Sequence, residues 1–281
     1  MLFIASFVYS DAQNEINGTQ TMLVKGVEFK MIGVEGGEYM MGATEEQQLT
    51  GINGRQYAWD NEFPAHRVRV NDFMMSETVV TQKLWVTVMG ERQAFLLSTR
   101  KDDLCVGDNY PMFLFVEWDT VQVFLKRLNE LTGLSFRFPT EAEWEYAARG
   151  GRRSKGYIYA GSNHIDEVAW YSDSLLHEVA LKAPNELGLY DMTGNCLEIC
   201  SDYYDDSYYS ISPFDNPQGP NAYKYKEISE QELGPAHVLR GGFYNLPASL
   251  CRISCRFSGG REGTKGTGVT SRYAIRLVLD W

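Results

Sequence analysis

Up to Gly151 the apolar residues of this chain recur at the spacings of helices and strands; beyond Gly151 they scarcely recur at all. A segment without period 2 or 3.6 offers no continuous face to a core, so regular elements must concentrate in the first half. Phe29 to Gly42 alternates and breaks at Gly36-Gly37, which predicts two short strands around a glycine turn. His66 to Phe73 sets basic against apolar residues at period two, a half-buried strand. Thr81 is placed to cap a short helix carrying Leu84, Trp85 and Val88, with Gly90 to stop it. Trp118, Val121, Phe124, Leu125, Leu128 and Leu131 recur every three or four residues, a helix from about 118 to 131. At Thr140 the run T-E-A-E forms a capping box, opening a third helix that Gly150-Gly151 ends. The second half reads as loops and short strands with scattered tyrosines, closing on a strand from Tyr273 to Leu279.

The 281 residues carry no internal repeat or low-complexity linker. Leu2 to Tyr9 is a short apolar run followed by Ser10-Asp11-Ala12, small residues of the kind a signal peptidase needs, although no basic residues precede it. Residues 1–12 therefore read as a truncated signal peptide, the alternative being a buried strand. Residues 13–27 read as a leader and 28–281 as the domain. The expected location is secreted or periplasmic. No other stretch approaches the ~20 apolar residues of a membrane span. A net charge of −11 leaves no broad basic face for nucleic acid or anionic lipid, only a local patch at Arg149, Arg152, Arg153 and Lys155.

Five cysteines, Cys105, Cys196, Cys200, Cys251 and Cys255, leave at least one thiol without an intramolecular partner, and Cys105 is the expected odd one. Their two C-x3-C spacings are not zinc knuckles, so disulfides of an exported protein or buried thiols are the better readings. The acidic, aromatic run from Asp202 to Tyr209 reads as a solvated loop, with Tyr203 and Tyr204 as candidate binding residues if it carries a ligand. The loop Ser258 to Thr270 is a second candidate surface. Arg240, Arg252, Arg256 and Arg272 either form a pocket, Arg240 and Arg252 foremost, or pair with the excess of carboxylates.

Four segments in order resemble the formylglycine-generating enzyme, or sulfatase-modifying factor, family. They are G-G-E-Y-M-M-G at Gly36 with P-A-H-R-V-R-V at Pro64; F-R-F-P-T-E-A-E-W-E-Y-A-A-R-G-G from Phe136; P-N-E-L-G-L-Y-D-M-T-G-N-C-L-E-I-C-S-D-Y-Y from Pro184; and V-L-R-G-G-F-Y from Val238, followed by a Cys-Arg step at Cys251 and a closing A-I-R-L-V. The resemblance implies a single α+β domain of the C-type-lectin type, with short strands, about three helices and much irregular structure. In members that make formylglycine it implies oxidation of a sulfatase cysteine to an aldehyde, using oxygen and copper(I) held between two thiolates, the soft ligands that ion prefers.

This chain departs from that pattern. Counting from Arg240-Gly241-Gly242, Phe243 takes the place of a serine, Leu246 that of the first cysteine and Cys251 that of the second. The pair that survives is Cys251 and Cys255. On a strand these would lie ~13 Å apart, too far to share an ion, so only a turn or helix there could restore a copper site. Leu197 and Ile199 also stand where the family has aromatic residues. The resemblance further implies calcium at Asp191 and Glu198 by side chain with Gly194 and Cys196 by carbonyl, oxygen ligands of the kind that ion takes. Non-catalytic relatives imply a Cys200–Cys251 disulfide. His66, His164, His177 and His237 are scattered, without the H-x3-H-x-E motif of the family's iron-dependent sulfoxide-synthase branch. The reading leans away from an enzyme and toward a secreted, non-catalytic binding module for a protein or glycan. The alternative is a copper-dependent formylglycine-generating oxidase with Cys251 and Cys255 as its catalytic pair.

Overall fold

A computed structural model describes residues 18–44, 58–90, 105–116, 118–220, 236–259 and 271–281, with the side chains of 114–116, 271 and 272 not described. In chain order the strands and helices are β1 (Thr19–Val24), β2 (Val27–Val34), β3 (Gly37–Met41), β4 (His66–Val70), β5 (Phe73–Ser76), α1 (Gln82–Met89), β6 (Leu114–Val116), α2 (Trp118–Thr132), α3 (Glu141–Ala148), α4 (Ile165–Val168), β7 (Glu198–Tyr203), β8 (His237–Arg240), β9 (Phe257–Gly259), β10 (Ser271–Tyr273) and β11 (Val278–Asp280). Among the described residues all the paired strands are antiparallel, in one four-stranded sheet of order β1-β2-β5-β11, a three-stranded sheet β7-β8-β9 and two two-stranded sheets, β3-β4 and β6-β10.

The expected elements of the first half form where their spacing puts them. Thr81 Oγ1 accepts from the Leu84 amide, Gly90 ends α1 with φ 93°, and α1 buries Leu84, Trp85, Val88 and Met89. Trp85 stacks on Phe124 of α2 at 4.7 Å, joining the two apolar faces. The capping box of α3 is complete: Thr140 Oγ1 accepts from the Glu143 amide at 3.1 Å, and a Glu143 carboxylate oxygen accepts from the Thr140 amide at 2.8 Å. Because α3 lies in the centre of the molecule, every residue of it except Glu143 is buried, two glutamates included.

Two expectations change. β1 lies inside the stretch read as a leader and pairs along its whole length with β2, so the folded unit begins well before residue 28. The closing strand is interrupted: β10 and β11 flank a segment whose backbone moves from β7, where the Ala274 amide donates to Leu197, to the other sheet, where Val80 and Ser76 donate to Ile275 and Leu277. That crossing carries Arg276 between the sheets. No helix among the described residues is long and apolar enough to cross a membrane.

Candidate functional site

β8 ends at Arg240 and is followed by Gly241-Gly242, both with left-handed φ, 93° and 82°. A Cβ on Gly242 would fall 2.7 Å from the Cys251 sulfur, so only glycine lets the chain turn this tightly over that thiol. The Arg240 guanidinium, fully buried, anchors the loop beyond the turn: Nη1 donates to the Ser254 and Cys255 carbonyls at 2.9 Å each, while Nη2 pairs with Glu145. Arg149 shares the same carboxylate. Arg252 grips Glu62 through both terminal nitrogens at 2.8 and 2.7 Å. Arg256 holds Glu141 through Nε and Nη2 at 2.6 and 2.9 Å, its guanidinium lying 4.1 Å from the Tyr209 ring centroid. Arg240 and Arg252, the expected binding residues, are therefore interior ion pairs that hold loops in place, a charged group being tolerable in the interior only when matched in this way.

Residues 248–256 form a short 3₁₀ turn followed by further turns, so the extended geometry that would separate Cys251 from Cys255 does not arise. Burial, and after it the neighbouring Cys251, push the hydroxyl of Tyr159, which sequence reading did not single out, up to about 12. Each thiol is turned to a different carbonyl, Cys251 to Phe243 at 3.9 Å and Cys255 to Ser249 at 3.5 Å. Burial pushes the Cys251 thiol up to about 11 and the Cys255 thiol up to about 12, the latter helped by Glu62, so both are protonated at neutral pH. The donor atoms have the softness copper(I) prefers, but as they stand they do not fit one shared ion. Leu246, at the place of the family's first cysteine, packs with Cys251 against Ile165, Val168 and Ala169.

All five cysteines are free thiols. Cys200 on β7 packs in the cluster of Trp144 and Val238, whereas the double-glycine turn delivers Cys251 to the cluster around α4. The expected Cys200–Cys251 bridge is not formed.

The turn expected to hold calcium has the required tightness: Gly194 has φ 72°, and a Cβ there would meet the Trp170 carbonyl at 2.2 Å. Its ligands are otherwise engaged. Glu198 accepts from Arg276 at both carboxylate oxygens, 2.7 Å each, and from the Trp144 indole at 2.7 Å. Asp191, with φ 57°, accepts from the Ala180 amide at 2.8 Å, and burial with Glu198 nearby raises its carboxyl to about 6. With the Arg276 guanidinium already on Glu198, the set Asp191, Gly194, Cys196 and Glu198 does not fit a divalent cation.

The run from Asp202 to Tyr209 is not a solvated loop. It finishes β7 and enters a 3₁₀ turn with Asp202, Asp205, Tyr208 and Tyr209 buried. Tyr204 accepts a hydrogen bond from Asn61 at 2.6 Å and lies beside Arg256. Tyr203 leans on His237 at 4.8 Å, and His237 stacks on Trp118 of α2 at 3.7 Å. Asp202 takes the amide of Glu141 at 2.9 Å; burial and then Glu141 raise its carboxyl to about 7. The second candidate surface, Ser258 to Thr270, lies outside the described residues from 260 onward, and Arg272 has no described side chain.

Sequence reading missed the carboxylates Glu62, Glu141 and Glu145. The last two stand four residues apart on α3, a spacing that puts them on one face. That was the available signal.

This is a mixed α/β domain whose second half is looped around buried arginine–carboxylate pairs. The chain belongs to the family of the sulfatase-modifying factor enzyme 1-like domain, whose model matches residues 22–280. It is similar to the formylglycine-generating enzyme of Streptomyces coelicolor, 26% identical over 296 residues that cover 84% of this chain and 86% of that protein. It also resembles the chaperone protein LppX of Paenibacillus barcinonensis, 28% identical over 180 residues, 49% of this chain and 64% of that one. Among solved structures, Treponema denticola variable protein 1 superposes with a TM-score of 0.70 at 25% identity, covering 94% of this chain and 99% of the other.

Proposed function

We propose that this protein is a secreted, non-catalytic binding module of its family, taking a protein or glycan ligand. The observation that carries the reading is the state of the catalytic position: Leu246 occupies the place of one thiolate, and Cys251 is sealed beneath Gly242 as a protonated thiol. A two-thiolate copper chemistry that loses one soft ligand loses the site, not merely its tuning. Relatives named as a formylglycine-generating enzyme, a chaperone and a variable protein are all similar to this chain, which supports arguing activity from the site alone. The apolar run at Leu2 to Tyr9 supports export.

The test is to incubate the purified chain with copper, oxygen and a C-x-P-x-R peptide and read the peptide by mass spectrometry. No aldehyde should form. Aldehyde formation that disappears in both Cys251→Ala and Cys255→Ala would instead establish the second reading, a copper-dependent formylglycine-generating oxidase, whose one support is that the two cysteines share a turned segment. Fractionating the producing cells, with the protein followed by antibody, tests export: retention in the cytoplasm would remove that part.

A further inference from the structure

Away from the double-glycine turn, a broad groove of 1870 Å³ runs along α2. It is lined from Trp118 at one end of the helix to Leu134 just past the other, about 24 Å at 1.5 Å per residue. The exposed face of α2 supplies Gln122, Lys126 and Glu130, one per turn, as the near wall. Opposite stand Asn71 with the segment carrying Asn216 and Gln218, and the exposed indole of Trp281 also lines the groove.

Every guanidinium of the groove is matched by a carboxylate, so none there is left over. Arg69 is paired with Asp215 at 2.5 Å and Arg152 with Glu35 at 2.6 Å. Arg137 binds both Glu143 and Asp280, at 2.8 and 2.6 Å. The Asp72 carboxylate accepts from the Gly36 amide at 2.7 Å. Lys126 and Glu130 stand four residues apart on α2, where each offsets the other. A polyanion finds no field here to draw it in. An extended peptide needs an open strand edge or deep apolar pockets for its side chains, and the floor aromatics Phe136 and Phe138 are sealed at 3% and 4% exposure.

What the groove presents is flat amide side chains, Gln122, Asn71 and Gln218, each of a type that both donates and accepts, beside Asn216, whose oxygen already accepts from the Asn71 backbone amide at 2.8 Å, and two indoles. A sugar ring has complementary needs: hydroxyls that both give and take hydrogen bonds, and a C–H face that packs on the negative face of an aromatic ring. Trp118 is held in place from behind by His237, which Tyr203 in turn braces, so the tyrosine singled out in the sequence supports this wall.

We infer that the groove along α2 is a binding site for a neutral, linear oligosaccharide several units long. The inference rests on the binding-module reading and narrows its ligand to a glycan. The experiment is titration calorimetry of the whole chain with four neutral hexasaccharides, cellohexaose, xylohexaose, maltohexaose and the β-1,4-linked N-acetylglucosamine hexamer. At least one should bind, and Trp281→Ala and Gln122→Ala, both at exposed positions that leave the core intact, should each weaken it about tenfold. Leu175→Ala, exposed and outside the groove, should leave it unchanged. No binding by any of the four, binding indifferent to both groove variants, or protection of the groove by a library peptide in place of a sugar would each overturn the inference. The two readings fail separately: an aldehyde product removes the module, whereas silence in these titrations with no aldehyde leaves a module whose ligand is not a neutral glycan.

Discussion

The two halves of this molecule are held together by different physics. Before Gly151 the cohesion is chiefly apolar: Trp85, Val88, Val121, Phe124 and Leu128 pack against the four-stranded sheet from Met31 to Leu279. After it, loops with little regular structure are pinned by guanidinium groups reaching across the chain, Arg252 to Glu62, Arg256 to Glu141, Arg240 to Glu145 and Arg276 to Glu198, with all eight groups buried. A loop without a periodic apolar face can still be ordered if its carbonyls find a fixed donor. Arg240 serves the carbonyls of residues 254 and 255 in this way, and Arg276 those of Ser76, Glu77 and Tyr190.

The sharpest way to break the comparison is to remove one member from each half. Arg256→Ala leaves the Glu141 carboxylate buried and mostly uncompensated, which should cost about 3–5 kcal/mol. Phe124→Ala opens a cavity beneath Trp85 and should cost a similar 3–5 kcal/mol. The halves then part company on repair. Arg256→Met combined with Glu141→Met should recover most of the loss, because a well-packed apolar pair can match a buried ion pair. No substitution of a neighbour should refill the Phe124 cavity as well. Urea denaturation of these variants beside the parent measures this; a double variant as unstable as Arg256→Ala would show that the second half depends on charge itself.

The same contrast explains what the sequence disclosed. Helix α2, the Thr140 capping box and the Gly36-Gly37 turn announce themselves within a dozen residues, since their cause is local. The partners of Arg252 and Glu62 are 190 residues apart, and no local pattern joins them. The strand expected from Tyr273 to Leu279 fails for a related reason: Arg276 is drawn inward to Glu198, a contact invisible from either segment alone. At the site, the sequence identified the cysteines and the glycine turn from their motif. It did not show that Glu198 already has a cation, nor that Tyr208 and Tyr209 turn inward.

A pH series sharpens the comparison further. Asp202 titrates near 7 in the fold, against about 3.9 in an unfolded chain. Between those values the native state keeps a proton that the unfolded state releases, so this group makes the protein less stable as pH rises from about 4 to 7. Glu145 acts in the other direction and elsewhere: burial opposes its ionisation, but Arg149 and Arg240 outweigh it and hold the carboxyl below its ordinary range. Its contribution is present above that range and lost on acidification through the lowered value. Asp202→Asn keeps an acceptor for the Glu141 amide and removes the titration. It should flatten the fall in stability between pH 5 and 8 by roughly 2–3 kcal/mol. Equal slopes in the variant and the parent would place the titrating group elsewhere, with Asp191 next in line.

The smallest effect expected is that of calcium. An ion that binds only the native state raises the melting temperature in proportion to the logarithm of its concentration over its dissociation constant. To bind at the Gly194 turn it would have to take Glu198 from Arg276, leaving a buried guanidinium with only the Ser76, Glu77 and Tyr190 carbonyls, and it would have to draw Asp191 away from the Ala180 amide. Those costs fall on the second half's own means of cohesion. The melting temperature should therefore be the same in millimolar calcium as in excess chelator at pH 7. A rise with calcium that Asp191→Asn abolishes would show that the arginine gives way, and that in this one turn a metal ion can take over the part that guanidinium groups play in the rest of the loops.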